Sequence, residues 1–530
     1  MYDYVIIGAG SAGCVIANRL SADPSIRVLL LEAGSEPSDP WIKIPAGMAR
    51  MYLPGKNNWG YMSLPEPGLN NREIYWPRGK VLGGTSAING MLYVRGHPLD
   101  FDDWAQRGNF GWSWDDLLPL FKRGEDYQFG ATGEHGAGGE LSVTEPVMKL
   151  PFSQAFIEAA AKCGHKVNED FNSGDQDGVG FLHFTIRNGS RNSTYDAFVK
   201  PIRHRRNLDI VTDAFAERIV IREGRACGVE YSLGGERRTA EARREIVLSG
   251  GVINSPQLLM LSGIGPAAHL KEFGIEPIVD LPGVGQNLHD HLYTNLVFEV
   301  EPASSVNSRI RGAAAYLEGL KYVLAKTGNL TSGSSQTSLF ARVMPGADRP
   351  DIQINSRPLS FEFSKGKIEV GKAPAVTVSV CQLRPHSRGE VRLTSPDPRA
   401  APSMIANYMK EEWDRLTMIG GVRMAEQIVS TEPVASRIVG RRAPAEELVT
   451  DDEILAYIRQ SAQSVYHPVG TCKMGNDALA VVDHRLRVRG VAGLRVADAA
   501  IMPVITSGNT NAPAIVIGEK ASDLLNEDRR

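Results

Sequence analysis

The stretch MYDYVIIGAGSAGCVIANRLSADPSIRVLLLEAG, residues 1–34, decides the fold of this chain. Tyr4 to Ile7 read as a short, β-branched, buried strand. Gly8, Gly10 and Gly13 punctuate the turn after it, and Cys14 to Leu20 continue as a helix with apolar spacing. A second strand, Val28 to Leu31, ends in Glu32 and Ala33. In such a unit the first glycine permits the tight turn, the second lets backbone approach a pyrophosphate, and the third lets helix pack on strand. The helix N-terminus, with Ser11 and Ala12 in its first turn, supplies N–H groups and dipole to the anion. Glu32 stands where an acid accepts hydrogen bonds from an adenosine ribose. A carboxylate there repels a 2′-phosphate, which disfavours an NADP-type ligand. Glycine-rich turns also occur in plain βαβ units; the strand before, the helix after and the acid at this spacing select the nucleotide reading.

Around this unit the chain is too long for one simple core, and its 530 residues predict two domains. A net charge of -3 gives no electrostatic case for nucleic acid. The five cysteines are scattered, odd in number and never in C-x-x-C spacing, which reads as reduced thiols and not as a disulfide framework or zinc site. The opening strand leaves no room for a signal peptide, and no apolar run reaches the length of a spanning helix. The expectation is a cytoplasmic protein, with peripheral contact at the inner membrane left open.

A second stretch, WPRGKVLGGTSAINGMLYVRG (76–96), joins paired glycines to small residues, so that its backbone can lie against a flat ligand. Here the chain resembles the glucose-methanol-choline family of flavin oxidoreductases. The resemblance continues in SGGVINSPQLLMLSGIG (249–265), VYHPVGTCKMG (465–475) and GLRVADAAIMPVITSGNTNAPAIVIGEKASDLL (493–525), in the family's order and over the whole chain. Val252, in place of a usually small residue, is a mild departure.

The resemblance implies FAD as cofactor. Val81, Gly83, Gly84, Asn89, Gly90, Met91 and Leu92 would lie along pyrophosphate and isoalloxazine, the backbone of Ala216 would hold the adenine, and Asp498 and Ala499 would contact the cofactor. Asn511 and Ala512 would meet the flavin at the start of the last helix, whose dipole favours negative charge on the reduced ring. Some relatives attach FAD through a histidine where this chain has Ile88, so a non-covalent cofactor is expected. The implied fold is α/β: a Rossmann-like FAD-binding domain (1–142, 184–300, 464–530) with an interleaved α+β substrate domain (143–183, 301–463) carrying an antiparallel sheet.

Between the signatures, Asp100 to Tyr127 reads as helical and Gly130 to Gly139 as a surface loop. Further helices are expected at Phe152–Cys163, Ala314–Thr327, Lys410–Ser430 and Asp451–Gln463. Asn207 to Ile221 alternates like a strand pair, while Ile352–Asn355, Ala375–Val380 and Glu390–Thr394 read as strands of the separate sheet. Ser255 with Pro256 has the form of a helix start. His289, Asp290 and His291 are ligand types, yet side chains that close in sequence seldom converge on an ion without further partners, and no metal is expected.

Oxidising an alcohol removes a proton from oxygen and a hydride from carbon. A base with an unperturbed pKa near 6.5 suits the first task and an oxidised flavin the second. Of eleven histidines, His467 sits in a rigid turn of proline and glycines beside signature sequence. The family's second polar position falls on Asn509, giving a His/Asn pair whose amide would position the substrate hydroxyl. The expected activity is FAD-dependent oxidation of a primary alcohol or polyol, electrons passing to a quinone, a cytochrome or oxygen. An oxidase forming hydrogen peroxide is the alternative. A hydroxynitrile lyase and a fatty acid photodecarboxylase occupy the same scaffold, but the latter lacks the histidine retained here.

Overall fold

The computed structural model describes residues 1–333, 335–364 and 367–529, with the side chains of all these except 362–369. The opening strand, Tyr2–Ile7, is buried on both faces, as a strand inside a parallel sheet must be. Val28–Leu31 flanks it on one side and Glu236–Leu248 on the other, both parallel to it, and Leu208–Val211 continues the sheet beyond Val28–Leu31. Glu236–Leu248 serves two partners in turn. Its first half pairs antiparallel with Arg225–Leu233, and its second half pairs with the opening strand and with Leu494–Val496.

The first helix, Ser11–Leu20, begins directly after the glycine turn. A Cβ on Gly13 would stand 1.9 Å from the carbonyl oxygen of Gly8, so only glycine allows helix and turn to approach this closely. The closing helix, Asn511–Asp528, packs against it through Gly518, whose added Cβ would meet the Ala12 carbonyl oxygen at 2.7 Å.

The second sheet is antiparallel and runs Ile438–Ala443, Leu292–Val300, Ala375–Gln382, Ile352–Arg357, Thr337–Ala341, Gly178–Phe181. Leu292–Val300 alternates strictly between buried and half-buried residues. Its half-buried set, including Tyr293, Asn295 and Val297, faces a cavity. Ile352 and Val380, on neighbouring strands, meet Gly421 of the helix Glu412–Val429. One face of the sheet is therefore core, and the other is the floor of the cavity.

The structure corrects several expectations. Asp100 to Tyr127 is two helices, Pro98–Gln106 and Trp114–Gly124, and a short strand. Gly108 and Gly111 break the run at φ 88 and 80, and Ser113 caps the second helix by accepting from the Asp116 N–H. The Gly-rich stretch after them is not wholly surface, because His135 is buried between Glu125 and Asp170. Gly389–Arg392 forms a strand as expected, but in a small sheet with Gln286–Leu288 and Ser403–Ile405. The helix expected to start at Ser255 starts at Gly251, with Pro256 inside it. Proline tolerates this position because the carbonyl it leaves without a partner, Val252 O, accepts instead from the Thr471 hydroxyl at 2.6 Å. A domain boundary at 300 would cut Leu292–Val300 from the sheet it belongs to. We propose the two-domain division with that strand moved to the substrate part.

Candidate active site

A continuous cavity runs from the C-terminal ends of the parallel strands to the face of the antiparallel sheet, the place where open α/β sheets bind ligands. At its nucleotide end Glu32 is fixed by two backbone donors, the N–H of Ala9 on Oε2 at 2.9 Å and that of Gly34 on Oε1 at 2.8 Å. Burial pushes the Glu32 carboxyl up to about 7. In front of Gly10 the space is open, with the Ser249 carbonyl oxygen at 4.0 Å the nearest atom to an added Cβ. Gly251, at φ +86, has nothing within 4 Å of one. Its N–H donates to Asp498 Oδ2 at 2.9 Å, and Asp498 also accepts from the Ser255 hydroxyl and the Ala500 N–H. That carboxylate ties the turn after the central strand to the C-terminal signature. Trp59, Phe215 and Ala216 line the same end.

A dinucleotide of the FAD type fits these groups. The open glycine faces at a helix N-terminus suit a pyrophosphate, Glu32 suits ribose hydroxyls, and the aromatic and backbone walls suit an adenine. Gly84 and Asn89 to Leu92 line the cavity towards its other end, as do Ala499 and Asn511. Ile88, also on the wall, offers no nucleophile for covalent attachment. Of the sequence-predicted cofactor residues, Gly13, Val81, Gly83 and Ala512 do not reach the cavity. Gly13 packs under the turn, Gly83 N–H holds the Ala9 carbonyl at 2.8 Å, and Val81 and Ala512 are buried behind it.

At the reacting end His467 follows the short strand Gln463–Ser464 through Tyr466, which sits at φ 69. Its backbone N–H donates to Asp290 Oδ1 at 2.8 Å, and Asp290 is held in turn by the hydroxyls of Tyr408 and Ser464. A chain of hydrogen bonds fixes its tautomer. The Leu383 carbonyl can only accept, so His291 Nε2, 3.0 Å away, carries a hydrogen. Burial pushes His291 down to about 4, so it is neutral and its Nδ1 is an acceptor. The His467 Nδ1–H therefore donates to His291 Nδ1 at 3.1 Å. Burial, then His291 and Arg78, hold His467 itself well below the usual histidine range. Its Nε2 is left as a lone pair, which the Asn509 amide N–H meets at 3.1 Å. Asn509 Oδ1 is buried without a partner among the described residues.

His467 and Asn509, 42 positions apart, are thus brought together as the sequence predicted. Asp290 and His291 escaped that reading as functional residues. The HDH motif draws attention as a set of ligand types, but its members point to separate protein partners: His289 donates to the Asn287 carbonyl and accepts from the Ile505 N–H, while its two neighbours hold His467. Arg357, on the cavity floor, carries no local signal at all.

Comparison with known proteins agrees with this arrangement. The models of the GMC oxidoreductase family match residues 2–293 and 385–518. An alcohol dehydrogenase (acceptor) of Pseudomonas putida is 42% identical over 99% of this chain and 96% of its own. An oxygen-dependent choline dehydrogenase of Sinorhizobium fredii is 43% identical over 98% and 95%. Among solved structures, pyridoxine 4-oxidase from Mesorbium loti superposes with a TM-score of 0.89 at 32% identity, covering 99% of both chains. A cavity built for a dinucleotide, a histidine aimed into its far end and this likeness along the full length have one explanation: the chain belongs to the GMC oxidoreductase family, and its cofactor is FAD.

Proposed function

We propose that this protein oxidises the hydroxyl of a small-molecule alcohol to a carbonyl. The observation that carries the reading is the pair at the reacting end: a neutral imidazole with its Nε2 lone pair turned to an amide N–H, in the same cavity as the dinucleotide site. When bound, FAD supplies a hydride acceptor and a two-electron store. A substrate hydroxyl placed between the two side chains donates its proton to His467 Nε2, while its oxygen accepts from Asn509 Nδ2. His291 keeps the Nδ1–H occupied, so the imidazole neither turns nor changes tautomer as the proton arrives. The antiparallel sheet forms the opposite wall of the cavity.

The electrons are proposed to pass to a separate acceptor, as the word acceptor in the name of the Pseudomonas putida relative supports, a quinone or cytochrome, with oxygen as the alternative that the name of the Sinorhizobium fredii relative favours. Cytoplasmic residence with peripheral membrane contact is part of the same proposal. No helix among the described residues is long and apolar enough to cross a membrane. The helix Gly312–Ala325, however, turns Tyr316, Leu317, Leu320, Val323 and Leu324 outward, each more than half exposed. Arg309 and Arg311 precede this helix, and Lys321 and Lys326 stand in and just after it, with Glu318 buried and holding Lys321 at 2.6 Å. An apolar strip with a basic rim suits an anionic lipid surface. A symmetric contact with a second copy would set basic rim against basic rim.

The test is an anaerobic panel. Purified, FAD-loaded protein is mixed with choline, aliphatic, aromatic and sugar alcohols, and the flavin band is followed. Bleaching by an alcohol is expected, with the matching carbonyl as product; a flavin that no alcohol reduces would refute the reading.

A further inference from the structure

The floor of the reacting end is electrostatically one-sided. Arg357 closes the strand Ile352–Arg357 and lines the cavity. Its Nε–H donates to the Ser335 hydroxyl at 3.1 Å, and its guanidinium lies 5.6 Å from the centre of the Tyr293 ring. Among the described residues neither terminal nitrogen has a hydrogen-bond partner and no carboxylate pairs with it. The carboxylates that line the cavity among those residues, Glu32 and Asp498, are engaged by backbone and serine donors at the nucleotide end.

Two amides beside Arg357 add to the asymmetry. Asn295 Oδ1 accepts from the Ser379 hydroxyl at 2.6 Å, and Asn355 Oδ1 accepts from the Gln353 amide at 3.3 Å. Each oxygen is thereby engaged, and among the described residues the Nδ2 groups of both have no protein partner on the cavity wall. The two free terminal nitrogens of a guanidinium present a planar fork that matches a carboxylate. A cation placed against this floor would meet, among the described residues, a like charge at Arg357 and two amide donors, with no carboxylate to pair with.

Resting on the alcohol-oxidation reading of the same site, we infer that the substrate is an alcohol bearing a carboxylate, which Arg357 anchors with help from Asn295 and Asn355 while the hydroxyl reaches His467. A quaternary-ammonium alcohol is selected against. This separates the chain from the relatives named choline dehydrogenases, at 43% identity.

The experiment uses FAD-loaded enzyme and three matched series of several chain lengths: ω-hydroxyalkanoates, 1-alkanols and ω-hydroxyalkyl-trimethylammonium salts, each followed by anaerobic flavin reduction. The hydroxyalkanoates should be preferred. Arg357→Met should lower their kcat/KM about ten- to a hundred-fold relative to the matched alkanol, the value of a lost charge-assisted contact, chiefly through KM. Arg357→Lys should restore part of it. Preference for the trimethylammonium series, or an equal loss on all three in Arg357→Met, would overturn the inference. Should no series reduce the flavin, the oxidation reading falls on its own. The charge inference is then decided by titrating the flavin spectrum with alkanoate against alkyltrimethylammonium: tighter alkanoate binding upholds it, and equal or weaker binding refutes it.

Discussion

Glu32 is a carboxyl held between two protonation states by its surroundings. Burial raises it to about 7, against the pull of two backbone N–H groups. Ribose hydroxyls donate to a carboxylate and so favour the ionised form, which means that FAD binding lowers this pKa and releases a proton. Affinity for FAD should therefore rise with pH up to about 7, by at most about tenfold per unit, and level off above. Titration of apoprotein with FAD across pH checks this: Glu32→Gln should bind more weakly and show a flat profile, and a flat profile in the unaltered protein would contradict the assignment. Glu32 was legible because its chemistry is local, one strand after the glycine turn. His467 was legible for a similar reason, since proline and glycines frame it. Asn509 was legible too, but the two groups that hold the imidazole from behind were not. His291 lies 176 positions away and Asp290 177, and only the fold brings them to the imidazole. Arg357 is a plain strand-end arginine until the sheet turns it into the cavity.

Elements were legible where periodicity is strong and ambiguous where a tertiary contact overrides local chemistry. Ser255 and Pro256 have the form of a helix start, but the Ser255 hydroxyl is drawn to Asp498 and Thr471 supplies the hydrogen bond that proline removes, so the helix begins one turn earlier. The helix expected over Ala314–Thr327 runs over Gly312–Ala325. Its exposure could not be read, because apolar residues at helical spacing look alike whether they meet a core or a bilayer. That exposure yields a prediction. The protein should co-sediment with vesicles containing anionic phospholipid, less with neutral ones, and the Leu317→Asp/Leu320→Asp variant should lose at least about tenfold in vesicle affinity, two leucines contributing well over that by burial. Flavin reduction in solution should be unchanged in that variant. Failure to bind anionic vesicles, or a change from dimer to monomer in the variant, would assign the strip to another role.

On the scale of the whole molecule, two sheets of different construction meet across one cavity. The parallel sheet and its glycine turn supply the nucleotide end, the antiparallel sheet supplies the floor, and the C-terminal signature carries His467 and Asn509 to the junction. The parallel centre of the first sheet was legible, because strands buried on both faces stand out as apolar runs; its antiparallel arm, Arg225–Leu233 with the first half of Glu236–Leu248, was not, and the strand pair expected over Asn207–Ile221 is two strands, Leu208–Val211 and Phe215–Arg222, at opposite edges of the sheet. The second sheet was legible only in part: its strands come from both sides of the chain's middle, and Leu292–Val300 follows a nucleotide-domain motif directly. Because His467 is held well below the usual histidine range, its Nε2 should remain unprotonated at pH values where an ordinary histidine is charged. The acid limb of the flavin-reduction profile should accordingly fall below about pH 6.5. The most direct measurement is the anaerobic rate of flavin reduction in FAD-loaded His467→Ala. FAD should stay bound, since the groups that hold its nucleotide part lie at the other end of the cavity, and the rate should fall about a hundred- to ten-thousand-fold. A folded, FAD-loaded His467→Ala protein that is reduced by substrate at close to the unaltered rate would contradict the assignment of His467 as the base.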